Sequence, residues 1–142
     1  MGWNDSIIQE FRDNRGHVET MGFGDRLVIV HSTGAKTGRP HEFPVMGLPD
    51  GHDARLIAAS KGGAPDNPAW FHNLLAHPDV EVEMPDPSAA NGIRTVAMRA
   101  ERLHGMERDE AWERFKQASS GFASYEPKAA PRIIPVFRLT PR

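Results

Sequence analysis

A chain of 142 residues with a formal net charge of -2 is long enough for one domain with a real core and too short for two. The near-neutral charge offers no global basic field for nucleic acid, and the lack of cysteine excludes a disulfide framework, a thiolate metal site and a cysteine nucleophile. No apolar run approaches the roughly 20 residues of a membrane-spanning helix, and the charged start MGWNDSIIQEFRDNRG does not read as a signal peptide, so a cytoplasmic protein is expected, with at most a peripheral attachment to a membrane.

Trp3, Ile7, Ile8 and Phe11 recur at helical spacing and predict an amphipathic helix over 4–14, capped by Asn4, Asp5 or Ser6 and ended by Gly16. Gly22 and Gly24 break the chain after this N-terminal helical segment, 1–24. Leu27 to Val30 reads as a buried strand. Phe43 to Leu48 is a second strand, interrupted by Pro44, which implies an edge or a bulge. Pro49-Asp50-Gly51 is a turn signal, so this strand is expected to form a hairpin with the next, Arg55 to Ser60. Asn67 as N-cap and Pro68 at the first helical position predict a helix over 68–76, stopped before Pro78. Val80 and Val82 alternate with Glu81 and Glu83, as in a half-buried strand. Residues 85–92 read as a turn or mobile hairpin loop, 95–103 as a strand, 107–117 as a helix turning Trp112 and Phe115 to the core, and 133–139 as a closing strand. About six strands with helices in the connections predict an α+β fold built on a small β-barrel, as one domain over 1–142.

Two loops carry chemistry. In Gly34-Ala35-Lys36-Thr37-Gly38-Arg39 the glycines permit an anion nest, and Lys36 and Arg39 add donors suited to phosphate. A solvated basic turn would hold the same residues, and the GxxxxGK[ST] spacing of a P-loop is absent. Ser60-Lys61-Gly62-Gly63 lies between a strand and a helix, where glycines let a planar ligand approach the backbone; a flexible connection is the alternative. Trp70 and Asn73 then share a helix face, Trp70 also being suited to plain core packing, and a buried Asn73 needs partners that a ligand or a neighbouring loop would supply. The seven histidines show no HxH or HExxH pairing, so no metal site is expected. No GxSxG elbow supports a hydrolase triad.

In order and spacing, Ser32-Thr33-Gly34-Ala35-Lys36-Thr37-Gly38, Pro44-Val45-Met46, Ala59-Ser60-Lys61-Gly62-Gly63, Asn67-Pro68-Ala69-Trp70-Phe71-His72-Asn73 and Ile134-Pro135-Val136-Phe137 resemble the deazaflavin-dependent nitroreductases and quinone reductases, which use coenzyme F420. The resemblance runs from about Leu27 to the C-terminus. It implies a split β-barrel related to flavin-binding reductases, commonly a homodimer. It implies that Ala35, Lys36 and Thr37, with Arg39 beside them, hold the cofactor's phosphate and acidic tail. His41, Glu42, Phe43, Pro44, Val45 and Met46 would line the deazaflavin and its linker. Ala58, Ala59, Ser60 and Lys61 would meet the ring, with Gly62 and Gly63 completing that loop, and Ala69, Trp70, Phe71, His72 and Asn73 would close the pocket. Many relatives carry arginine where this chain has His41. The tyrosines that precede the last strand in nitroimidazole-activating members are reduced here to Tyr125, with Ser119 and Phe122 at the other places.

The implied reaction is hydride transfer from reduced F420 to an electron-poor small molecule: a quinone, an enone or unsaturated lactone, or a nitroaromatic. Ser60 and Tyr125 are the candidate catalytic residues, to polarise the acceptor oxygen or relay a proton, and Trp70, Phe122 and Tyr125 are expected to shape the acceptor pocket. An FMN-dependent reductase or oxidase on the same barrel is an alternative, as is a deazaflavin-binding protein without turnover.

Overall fold

Strand-forming runs need partners for their backbone as well as cover for their side chains. A computed structural model, which describes residues 2–142, shows how they obtain both; Met1, where the expected N-terminal segment begins, lies outside the described residues. Seven strands, β1 Leu27–Thr33, β2 Pro40–Met46, β3 Leu48–Pro49, β4 Arg55–Ala58, β5 Asp79–Pro85, β6 Ile93–Arg102 and β7 Val136–Pro141, form one antiparallel sheet in the order β2-β1-β5-β6-β7-β4-β3. Its outermost strands, β2 and β3, are consecutive in the chain and separated only by Gly47, so the sheet curls into a split barrel. The seam requires bare backbone: a Cβ on Gly47 would lie 3.1 and 3.2 Å from the two methyls of Val28. As an edge strand of that order, β2 tolerates Pro44.

The strand count is one more than expected, because the predicted run over 43–48 divides. Its first part belongs to β2 and pairs with β1, Phe43 opposite Val30, whereas only Leu48 and Pro49 form the expected hairpin, with Leu56 and Arg55. β1 is buried on both faces, which accounts for its unbroken apolar run. Leu27 and Ile29 pack with Phe11, Trp112 and Phe115, and Val28 and Val30 with Phe71, Val82 and Phe137.

Four helices cover the sheet: α1 Trp3–Asp13, α2 Ala69–Ala76, α3 Gly105–Ala118 and α4 Ser120–Ala129. α1 buries Ile7, Ile8 and Phe11 as the spacing predicts, and ends where Gly16, at φ 85°, donates its N–H to Phe11 O at 2.7 Å. It is also pinned by charge. Arg12 reaches Glu42 on β2 at 2.8 Å and Glu83 on β5 at 2.6 Å, and His31 Nε2 lies 2.6 Å from the same Glu83 carboxylate. His31, Glu42 and Glu83 are close enough to share an ion, but the Arg12 guanidinium already bridges the two carboxylates.

One local expectation differs. Asn67 does not cap α2; Pro68 holds the cap position, and Asn67 Oδ1 instead accepts from Arg132 Nη1 at 2.7 Å. Helix α4 runs from Ser120 through Tyr125 to Ala129, after Ser119 at its N-cap, with Pro127 inside it. Among the described residues no helix is long and apolar enough to cross a membrane.

Candidate active site

The two loops singled out in the sequence face each other across one cleft of about 1000 Å³, between the β1–β2 turn, the turn after β4 and the start of α2. In the first loop, Gly34 N–H donates to Arg39 O at 2.8 Å, and Gly38 N–H to Gly34 O at 3.0 Å. A Cβ on Gly34 would meet Thr37 Oγ1 at 2.7 Å, so only glycine lets the turn close this tightly. Ala35 N–H donates to Asn73 Oδ1 at 2.9 Å, which answers what Asn73 partners and ties the loop to α2. Among the described residues the N–H groups of Lys36 and Thr37 have no protein acceptor and remain available to an anion.

The opposite wall is aromatic. Trp70 stacks on Phe43 with centroids 4.7 Å apart and planes within 7°, and both face the cleft. Beyond them the turn at Lys61–Gly63 leaves the N–H groups of Ser60, Lys61 and Gly62 without acceptors among the described residues. Lys61 pairs with Asp66 at 3.0 Å, and the bond it donates holds the Asp66 carboxyl below its usual range. Among the described residues, Lys36 and Arg39 have no carboxylate partner.

A second, smaller cavity of about 220 Å³ adjoins the cleft and shares Pro44, Val45, Ala58, Ser60 and Gly62 with it. Its far side is apolar, formed by Met46, Phe115 and Phe122, with Ser119 and Tyr125 the polar exceptions there. Phe122 packs edge-on against Tyr125 at 5.8 Å and Phe115 at 5.2 Å, so the wall is built by the α3–α4 cluster.

Most of the sequence-derived site residues meet at these two spaces. Ala35, Lys36, Thr37, His41, Glu42, Phe43, Pro44, Val45, Ala58, Ser60, Lys61, Gly62, Ala69, Trp70, His72 and Asn73 line the cleft, and Ser60, Phe122 and Tyr125 line the smaller cavity. Met46 lines only the smaller one. Trp70 lines only the cleft. Four residues stand outside both. Arg39 is exposed on the turn, Ala59 and Phe71 are buried in the core, and Gly63 packs beneath α4, where a Cβ would lie 2.9 Å from Lys128 Cβ. Sequence reasoning does not reach Trp3 and Asn4, which line both spaces; the one signal was an aromatic at the open end of the α1 stripe, left 58% exposed.

Comparison with known proteins agrees with this geometry. Residues 5–141 match the family described as F420H(2)-dependent quinone reductase. An F420H(2)-dependent quinone reductase of Mycobacterium tuberculosis H37Rv is 36% identical over 118 residues, covering 81% of this chain and 73% of the relative. The structure of an F420-H2 dependent reductase (FDR-A) superposes with a TM-score of 0.68 at 32% identity, covering 80% of this chain and 93% of that one. Another, described as a domain-swapped dimer, has a TM-score of 0.68 at 29% identity and covers 95% and 92%. The match over nearly the whole chain, together with this level of identity, shows that the chain belongs to the F420H(2)-dependent quinone reductase family.

Proposed function

We propose that this chain reduces quinones with reduced coenzyme F420, holding the cofactor in the larger cleft and the acceptor in the smaller cavity. The observation that carries the reading is the shared wall: Pro44, Val45, Ala58, Ser60 and Gly62 border both spaces, so occupants of the two would touch there. When bound, the reduced deazaflavin supplies a hydride. The residues present suit it. Lys36, Arg39 and the free N–H groups of Lys36 and Thr37 take a phosphate and an acidic tail. The Trp70–Phe43 stack offers it an apolar face.

Ser60 and Tyr125 are assigned to the acceptor: either hydroxyl hydrogen-bonds its oxygen and passes a proton to it. Phe122 and Met46 exclude water from the reacting atoms, which strengthens those bonds. We place the reaction in the cytoplasm or at its membrane face, where apolar quinones reside. The similar structure described as a domain-swapped dimer supports a homodimer for this chain.

The test is binding and turnover. F420 is expected to bind at least ~10-fold more tightly than FMN, and added menadione to reoxidise F420H2 in catalytic amounts of protein. Equal affinity for FMN, or no response to menadione, would overturn the assignment. Lys36→Ala is expected to weaken F420 binding by roughly 10-fold and to flatten its salt dependence; unchanged affinity would remove the tail-binding role.

A further inference from the structure

Behind the turn at Lys61–Gly63 stands a side chain that no sequence motif marks. Arg132 follows α4, and its guanidinium is committed to the segment between β4 and α2. Nη1 donates to Ala59 O at 3.0 Å and Asn67 Oδ1 at 2.7 Å, Nη2 to Ser60 O at 2.9 Å and Ala64 O at 2.8 Å, and Nε to Ala64 O at 3.1 Å.

The direction of those bonds fixes the other side of the loop. In a planar trans peptide the N–H is antiparallel to the C=O. The carbonyls of Ala59 and Ser60 point at Arg132, so the N–H groups of Ser60 and Lys61, which belong to the same two peptide units, point away from it. Both residues line the cleft, and neither N–H has an acceptor among the described residues. Ser60 is right-handed at φ -76° and ψ -37°, and Lys61 is left-handed at φ 47°. That sequence makes successive N–H groups converge on one point. A lysine holds a left-handed conformation only where its surroundings impose it.

We infer that Arg132 is a positioning residue for hydride transfer: it aims the N–H groups of Ser60 and Lys61 into the junction of the two cavities, where negative charge develops on the acceptor. The inference rests on the function proposed above. A quinone that accepts a hydride becomes a hydroquinone anion, its new electron pair coming from the C–H bond broken on the donor. The proton released as the donor ring is oxidised, or one from solvent, completes the hydroquinone. Donors fixed in advance at that oxygen act on the transfer rate more than on ground-state binding.

The experiment uses Arg132→Met and Arg132→Lys in the full chain, with a series of 1,4-quinones of graded hydroquinone acidity. Single-turnover hydride transfer is measured per bound F420. Arg132→Met is expected to slow transfer by roughly 30-fold or more, with F420 affinity changed less than about 5-fold. The dependence of rate on hydroquinone acidity is expected to steepen, because the acceptor must carry more of its own charge. Arg132→Lys, lacking the planar fork, is expected to fall between the two. A variant with a lower melting temperature but wild-type transfer rate and slope would show a merely structural arginine and overturn the inference. If Arg132→Met does not fold, Asn67→Ala removes one anchor of the guanidinium. It is expected to slow transfer by roughly 3-fold with a steeper slope, and an unchanged rate and slope would overturn the inference equally. Wild-type protein that neither binds F420 nor oxidises F420H2 would overturn the proposed function and this inference with it, whereas normal wild-type turnover beside unaffected variants overturns this inference alone.

Discussion

Asn73 shows how one polar side chain joins two functions. Its Oδ1 takes the Ala35 N–H at 2.9 Å, so the Gly34–Arg39 turn is anchored to the same helix that presents Trp70. Asn73→Ala removes that acceptor, and losing one hydrogen bond of about 1 kcal/mol is expected to weaken F420 binding by roughly 5- to 10-fold while leaving the fold intact. Titration of cofactor fluorescence checks the affinity, and circular dichroism the fold. The sequence was informative about such residues where the chemistry is local. The glycine-bracketed turn and the Trp70–Asn73 spacing could be read because their partners are near neighbours or lie on one helix face. Phe71, Ala59 and Gly63 stand outside both cavities for the opposite reason. They sit inside the right motifs but turn into the core or under α4, and a motif does not say which way a side chain points.

At the scale of elements, α1 is the part held most by charge. Burial alone would raise the Glu83 carboxyl, but the hydrogen bonds from Arg12 and His31 outweigh it and hold it below the usual range. The Arg12 guanidinium is correspondingly held more firmly protonated, chiefly by its bonds to Glu83 and then Glu42. A carboxyl depressed in the folded state contributes stability that is present above its unfolded value, about pH 4.3, and lost as pH falls through the folded one. Melting temperature is therefore expected to be flat near neutrality with respect to this cluster and to drop below about pH 4, the drop being smaller in Glu83→Gln. Arg12→Met leaves the Glu83 carboxylate with His31 as its remaining hydrogen-bond partner, and is expected to cost about 1–2 kcal/mol, or roughly 3–8 °C in a thermal melt. Elements whose apolar period is clear, such as α1 and β5, were legible in the sequence. α4 was not, because SGFASYEPKA offers little apolar stripe and contains a proline; it is held by tertiary contacts of Phe122, Tyr125 and Ala129 with α3 and the core. Asn67 likewise reads as a cap until Arg132, distant in sequence, takes its oxygen.

For the molecule as a whole, closure of the sheet depends on a single residue. Gly47 alone lets the chain pass from one edge of the strand order to the other against Val28. Gly47→Val is expected to destabilise by about 2 kcal/mol through overpacking, seen as a fall of roughly 5 °C in melting temperature, and to loosen both cavities, since β2 supplies a wall to each. The barrel class followed from counting strands and turns, but the ring order did not, because no local signal tells which distant strands pair. The lining shared by the two cavities at the start of α1 bears on traffic. Trp3 and Asn4, in the first turn of α1, border the cleft and the smaller cavity alike. The two chambers thus share a doorway, and loosening that turn by deleting residues 2–6 should quicken the escape of spent cofactor and of reduced product together, not one without the other.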